Sequence, residues 1–166
     1  YYNLMHRRGV ARFVDEAAAA GVDGLLALDL PLEEASEYLQ LMRSADLCAI
    51  QLMAPTTPDD RMAQIACQAT GFIYCISREG VTGVQEQLSD QIPRLVASAR
   101  RHTDLPIAVG FGISNPEQAR AVAQHADAVV VGSALVRLLA ESAVDSDCVA
   151  KAGTFVRSML DAIRRL

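Results

Sequence analysis

Five short apolar runs punctuate the chain, at 24–28, 49–53, 72–76, 107–111 and 128–131, each flanked by Gly, Pro, Asp or Ser. Near-continuous apolar character marks strands covered on both faces, as in parallel sheets, whereas a half-exposed strand alternates. Between the runs, apolar residues recur at helical spacing. They predict helices at about 10–20, 33–45, 59–69, 86–101, 116–124 and 133–142, with a last one near 147–165. Helix starts carry their own chemistry. Thr57 is placed to cap a helix with Pro58 at its first position and Asp59-Asp60 behind it. Asn115, Pro116 and Glu117 repeat the device, with Gln118 placed to close a capping box. Gly21 and Gly71 read as helix stops.

Strands alternating with helices at this spacing predict right-handed βαβ units in an α/β fold. A doubly wound open sheet would be expected to follow its first strand with a glycine-rich fingerprint, and Leu28-Asp29-Leu30-Pro31 is not one. Instead, polar and glycine residues collect after every strand, as they do where a (β/α)₈ TIM barrel gathers strand ends around one mouth. Five strands do not close such a barrel. Residues 1–166 therefore read as the C-terminal part of one barrel domain, its other strands absent or supplied by another chain. Tyr1-Tyr2-Asn3 reads as the tip of a preceding strand.

Composition narrows the function. Half the residues are hydrophobic (51%), Trp is absent and the net charge is −5. No basic stripe suits nucleic acid, since Arg100-Arg101 and Arg164-Arg165 are isolated pairs at helix ends. No run of about 18 apolar residues suggests a membrane span. Cys48, Cys67, Cys75 and Cys148 are widely spaced without CxxC or nearby His, which predicts buried reduced thiols and a cytoplasmic protein rather than zinc or disulfides.

The sharpest chemical signal is Gly110-Phe111-Gly112-Ile113-Ser114, followed by Gly132-Ser133-Ala134. Each lies at a strand end before a helix. There, glycine lets backbone N–H groups approach an anion and the helix N-terminus adds positive potential. The last two strands of a barrel are the usual place for a substrate phosphate; tight turns alone are the other reading. Gly80-Val81-Thr82-Gly83 follows the strand of Tyr74 in a long connection suited to a lid, where Gly83 would add an N–H. Acid–base candidates are few. Asp29 sits at a strand end, either as a catalytic group or as a cap for the turn through Pro31 and Glu33-Glu34. Tyr74 is mid-strand. His6, His102 and His125 fall away from strand ends, and neither a Ser-His-Asp set nor a metal cluster is visible.

Together these pieces resemble the tryptophan synthase α subunit family. They are joined by Ala20-Gly21-Val22-Asp23-Gly24, Asp29-Leu30-Pro31-Leu32-Glu33-Glu34, Leu52-Met53-Ala54-Pro55-Thr56, Ile73-Tyr74-Cys75-Ile76-Ser77 and Leu105-Pro106-Ile107-Ala108-Val109, and they cover nearly the whole chain. The resemblance implies a lyase of tryptophan biosynthesis. It would cleave indole-3-glycerol phosphate to indole and glyceraldehyde 3-phosphate by a retro-aldol step, without a cofactor or metal of its own. The implied partner is a β subunit carrying pyridoxal phosphate, in an α₂β₂ assembly. By position, the resemblance puts phosphate on Gly83, Gly112, Gly132 and Ser133, and indole among Leu26, Leu52, Phe111 and Val130. It sets Tyr74 beside the catalytic glutamate and has Thr82 orient the catalytic aspartate. Asn3, Asp29 and Pro31 would lie toward the β subunit.

The family's glutamate and aspartate belong to a segment ahead of Tyr1, so this chain alone is expected to be inactive. Leu28, where many members have Pro, and Glu79 in the lid depart from the family pattern. Two other functions fit the phosphate motifs: a noncatalytic module docking on a β subunit, or another phosphate-binding barrel enzyme such as an indole-glycerol-phosphate synthase. The latter needs strand-end lysines, and the only Lys is Lys151.

Overall fold

In the computed structural model, residues 1–76, 85–110, 112–143 and 146–164 are described, without the side chains of 85–90. Five parallel strands run in sequential order: β1 (Gly24–Leu26), β2 (Cys48–Met53), β3 (Ile73–Ile76), β4 (Ile107–Gly110) and β5 (Ala128–Val130). Around them lie α1 (Tyr2–Arg8), α2 (Val10–Ala19), α3 (Ser36–Ser44), α4 (Asp59–Gln68), α5 (Gln85–Arg100), α6 (Pro116–Ala123), α7 (Ser133–Glu141) and α8 (Cys148–Ile163), with a 3-10 turn at Leu32–Glu34. Every apolar run contains a strand; β2 starts one residue before its run, while β1, β3 and β5 are shorter than theirs.

The packing is one-sided. Ala49, Met53, Ile73, Cys75, Ile107 and Val109 pack under the helices. Met62, Ile65 and Ala66 of α4, and Ala119 and Val122 of α6, meet them at the three- and four-residue spacing of a helical face. Ile73, Ile107, Met53 and Val109 are essentially sealed, and burial of such a side chain contributes roughly 1.5–3 kcal/mol. Leu26, Ile50, Leu52, Tyr74, Ile76 and Val130 belong to neither packed cluster. A doubly wound sheet has helices on both faces; sequential order with helices on one side is the winding of a barrel. Among the described residues β1 and β5 do not pair, so the sheet stays open.

Local expectations fared unevenly. Asn115 Oδ1 accepts from the Gln118 amide at 2.9 Å, with Pro116 leading α6, as expected. Gln118 Oε1 then accepts from the Ser114 amide at 2.8 Å, one residue before the box position. Gly21 follows α2 with a φ of 80°, the left-handed conformation that stops a helix. Gly71 does not stop α4, which ends at Gln68 with extended Ala69 as its C-cap; with a φ of 79° it turns the chain just ahead of β3. Three further readings need correction. Tyr1-Tyr2-Asn3 is no strand tip: Tyr2 and Asn3 open α1, which is anchored by buried Met5 and by the Leu4 amide donating to Tyr1 O at 3.1 Å. Three residues were too few to display a period. Thr57 does not cap α4, whose N-cap is Pro58; its Oγ1 accepts from the Ala54 amide at 2.9 Å and closes the preceding turn. Finally, all four thiols are free but only Cys75 is buried: Cys67 is exposed, and Cys48 and Cys148 are intermediate.

Candidate functional site

Strand register assembles one face. Leu52 pairs with Tyr74 and Tyr74 with Ala108, while Ala108 pairs with Ala128; two residues onward, Gly110 pairs with Val130. Leu26 is in register with Ile50 on the same side. Side chains two apart on a strand share a face, so Leu26, Leu52, Tyr74 and Val130 all line the side away from the helices, each half-buried.

Tyr74, whose direction the sequence left open, points inward and leans diagonally over Gly110. A Cβ at Gly110 would fall 2.5 Å from Tyr74 Cε2 and 2.7 Å from Cζ, and nearer still to the hydroxyl. Burial pushes the Tyr74 phenol above its ordinary pKa, so it is neutral at pH 7, a hydrogen-bonding group rather than a base. The sequence reading missed Gly110 as a packing residue. Its signal was present in Gly110-Phe111-Gly112, but both glycines were read as serving an anion.

The same register organises the strand ends. Gly112 and Gly132 each come two residues after the Gly110–Val130 pair, past the ends of the adjacent parallel strands β4 and β5. Gly112 has φ 48°, a conformation glycine adopts without strain. Gly132 is the N-cap of α7 and Ser133 its first residue, with no side chain capping that end. Both glycines and Ser133 are exposed, and a Cβ at Gly132 would meet nothing within 4 Å. α6 differs: Asn115 Oδ1 takes the Gln118 amide, and Gln118 Oε1 takes the Ser114 amide just ahead of the helix. Thr82, Gly83, Phe111 and Glu79 lie outside the described residues.

Asn3, Asp29 and Pro31 form a separate exposed group. Asp29 neither caps the turn after Pro31 nor faces Tyr74 across a bond. Its Oδ1 accepts from the Tyr2 amide at 2.7 Å, tying the start of α1 to the end of β1. Pro31 is the N-cap of the 3-10 turn. Of the histidines, His6 stacks obliquely on Tyr2, beside that exposed group, and His102 Nε2 lies 3.0 Å from Asp59 Oδ1. Among the described residues no cluster of His, Cys, Asp and Glu fits a metal ion, and no helix is long and apolar enough to cross a membrane.

A singly wound parallel sheet, with helices on one side, an apolar inner face and glycines after its last two strands, defines part of a TIM barrel. The chain belongs to the tryptophan synthase alpha chain family, whose sequence pattern matches residues 1–164. It is 56% identical over 142 residues to the tryptophan synthase alpha chain of Opitutus terrae, covering 86% of this chain and 53% of that one. With the Microcystis aeruginosa alpha chain it shares 46% identity over 165 residues, 99% of this chain and 62% of the relative. Among solved structures, Mycobacterium tuberculosis tryptophan synthase superposes with a TM-score of 0.87 at 35% identity, over 99% of this chain and 60% of that one. A structure of the Pyrococcus furiosus tryptophan synthase a2b2 complex gives 0.87 at 37% identity, over 97% and 64%. The chain therefore spans less than two thirds of the length of each of these proteins.

Proposed function

We propose that this chain is the phosphate-binding and indole-binding side of a tryptophan synthase α subunit, a cytoplasmic lyase that cleaves indole-3-glycerol phosphate. The observation that carries the reading is the Gly110–Val130 register. In this reading Gly112 and Gly132-Ser133, which follow that pair, come together beyond an inner face bearing Leu26, Leu52, Tyr74 and Val130. Backbone N–H groups of Gly112, Gly132 and Ser133, joined by Gly83, hold the phosphate. The apolar inner residues, with Phe111, hold the indole ring.

In the retro-aldol step the bond between indole C3 and the glycerol chain breaks. C3 gains a proton as the ring nitrogen gives one up; when the bond breaks the nitrogen regains a proton and the glycerol hydroxyl loses its own as its carbon becomes the aldehyde, so no oxidant, metal or cofactor enters. Two carboxylates suit these transfers, and the family resemblance assigns them to the second barrel strand and the loop after it, ahead of Tyr1. Tyr74 orients the glutamate by hydrogen bonding, and Thr82 holds the aspartate. Asn3, Asp29 and Pro31 face the β subunit, which carries the pyridoxal phosphate. The a2b2 assembly of the P. furiosus relative supports that pairing.

The test is indole release from indole-3-glycerol phosphate. Residues 1–166 with excess β subunit should release none, and the full-length protein should turn over. Robust turnover by residues 1–166 would put the acid–base groups inside this chain and overturn the assignment. A full-length protein that binds inorganic phosphate but never releases indole would overturn the lyase reading itself.

A further inference from the structure

The 3-10 turn Leu32–Glu34 begins directly after Pro31, and its Glu33 is gripped from another element. Arg61, in the first turn of α4, presents both terminal nitrogens to that carboxylate. Nη1 donates to Oε1, and Nη2 donates to Oε2 at 3.0 Å. Gln64, one turn along, accepts from Nη1 at 3.2 Å and steadies the guanidinium. The fork geometry is specific to arginine, since lysine offers a point charge instead of two parallel donors. Arg61 holds the Glu33 carboxyl down at about 2, so the pair is ionised throughout the physiological range. α4 itself starts from a turn closed twice between Ala54 and Thr57. The ion pair therefore links the connection after β1 to a braced connection after β2. On the other flank, Asp29 is tied to the start of α1 beside Asn3.

We propose that Arg61 is a positioning residue for β-subunit docking: its fork on Glu33 fixes the Pro31 turn in the shape the partner meets. The proposal rests on the reading of Asn3, Asp29 and Pro31 as the docking group. Arg61 acts through Glu33: among the described residues it bonds Glu33 and Gln64. An exposed pair of this kind contributes little to global stability. Its effect is to remove the freedom of a loop that would otherwise be ordered on binding.

The test uses the full-length protein and measures β-subunit affinity by calorimetry, beside the thermal midpoint and the affinity for inorganic phosphate. Arg61→Ala and Arg61→Glu should each weaken β-subunit binding by about three- to tenfold. Arg61→Lys should behave like the alanine variant because the fork is lost. The reversed pair, Arg61→Glu with Glu33→Arg, should regain most of the affinity, which a merely structural lesion would not. Midpoint and phosphate affinity should hold throughout. Unchanged β-subunit affinity in Arg61→Glu, or no recovery in the reversed pair, overturns the proposal. Asp29→Lys separates the two levels. If it weakens docking while Arg61→Glu does not, only the role of Arg61 falls; if it has no effect, the docking group itself is wrong and the proposal falls with it.

Discussion

The ring of Tyr74 on β3 lies diagonally across Gly110 on β4, in the space that any side chain at position 110 would need. The two are not register partners; Tyr74 pairs with Ala108 and reaches one step up the strand. Gly110 is thus buried by a neighbour's ring rather than by a side chain of its own.

Gly110→Ala should therefore displace Tyr74 and cost about 1–3 kcal/mol, the range for overpacking a filled site. The added methyl meets ring atoms that are part of the proposed indole face, so indole release by the full-length protein should fall as well. A double-mutant cycle with Tyr74→Ala checks the cause. Removing the ring should make the alanine at 110 nearly silent, with a coupling above about 0.5 kcal/mol. Additive effects on the thermal midpoint would show that the two residues do not compete for space.

At Gly132 the expectation is reversed. Its Cβ would enter open space and its φ of −110° suits any residue, so Gly132→Ala should leave the thermal midpoint unchanged. The methyl would nevertheless stand among the amides proposed to hold phosphate. Loss of one charge-assisted hydrogen bond corresponds to about tenfold in affinity for inorganic phosphate by calorimetry. Gly112→Asp should do more, because it adds a like charge and forces a side chain onto a φ of 48°. Equal phosphate affinity in both variants and the parent would remove these turns from the site.

The cysteines should separate by exposure. Iodoacetamide at pH 8, read by mass spectrometry, should label exposed Cys67 quickly and Cys75 only after unfolding. Burial pushes the Cys75 thiol from 9.0 up to about 12, which denies it the reactive thiolate. The same burial pushes Tyr38 from 10.0 up to about 12. Both folded-state values are raised, so the folded chain keeps protons that the unfolded chain gives up. Their contribution is whole below about pH 9 and is lost as the pH rises toward 12. A thermal midpoint that stayed level across that window would contradict the burial of both groups.

At the opposite end of the sheet, Asp127 closes β5 onto β4. Its Oδ2 accepts from the Ile107 amide at 2.7 Å and from Arg100, while its own amide donates to Ile107 O at 3.0 Å. The Ile107 amide, helped by Arg100, holds the carboxyl below its ordinary value. That stabilisation is present above the usual carboxylate range and fades as the pH falls through the depressed value. Asp127→Ala should cost about 1 kcal/mol at neutral pH, a modest figure because the side chain is partly exposed. Asp127→Asn keeps an acceptor and should cost less. Urea midpoints at pH 7 and pH 3 check both statements, and the difference between parent and alanine variant should shrink at the lower pH.

From α2 onward the order of strands and main helices was determined by the sequence alone, because periods of one hydrophobic face survive without knowledge of the neighbours. Runs such as 72–76 and 107–111 announced buried strands, and Asn115-Pro116 announced the start of α6, since a cap is satisfied within four residues of itself. Strand-end glycines at 112 and 132 were legible for the same local reason. What depended on distant segments was not. The direction of Tyr74 follows from which strand face the helices cover, and no single strand encodes that. Gly110 acquires its role only when β3 and β4 lie in register. Asp29 satisfies the Tyr2 amide 27 positions away, and Arg61 finds Glu33 across 28. Such partners are chosen by the folded arrangement of the elements. Composition and spacing supplied the pieces, and tertiary packing decided which of them meet.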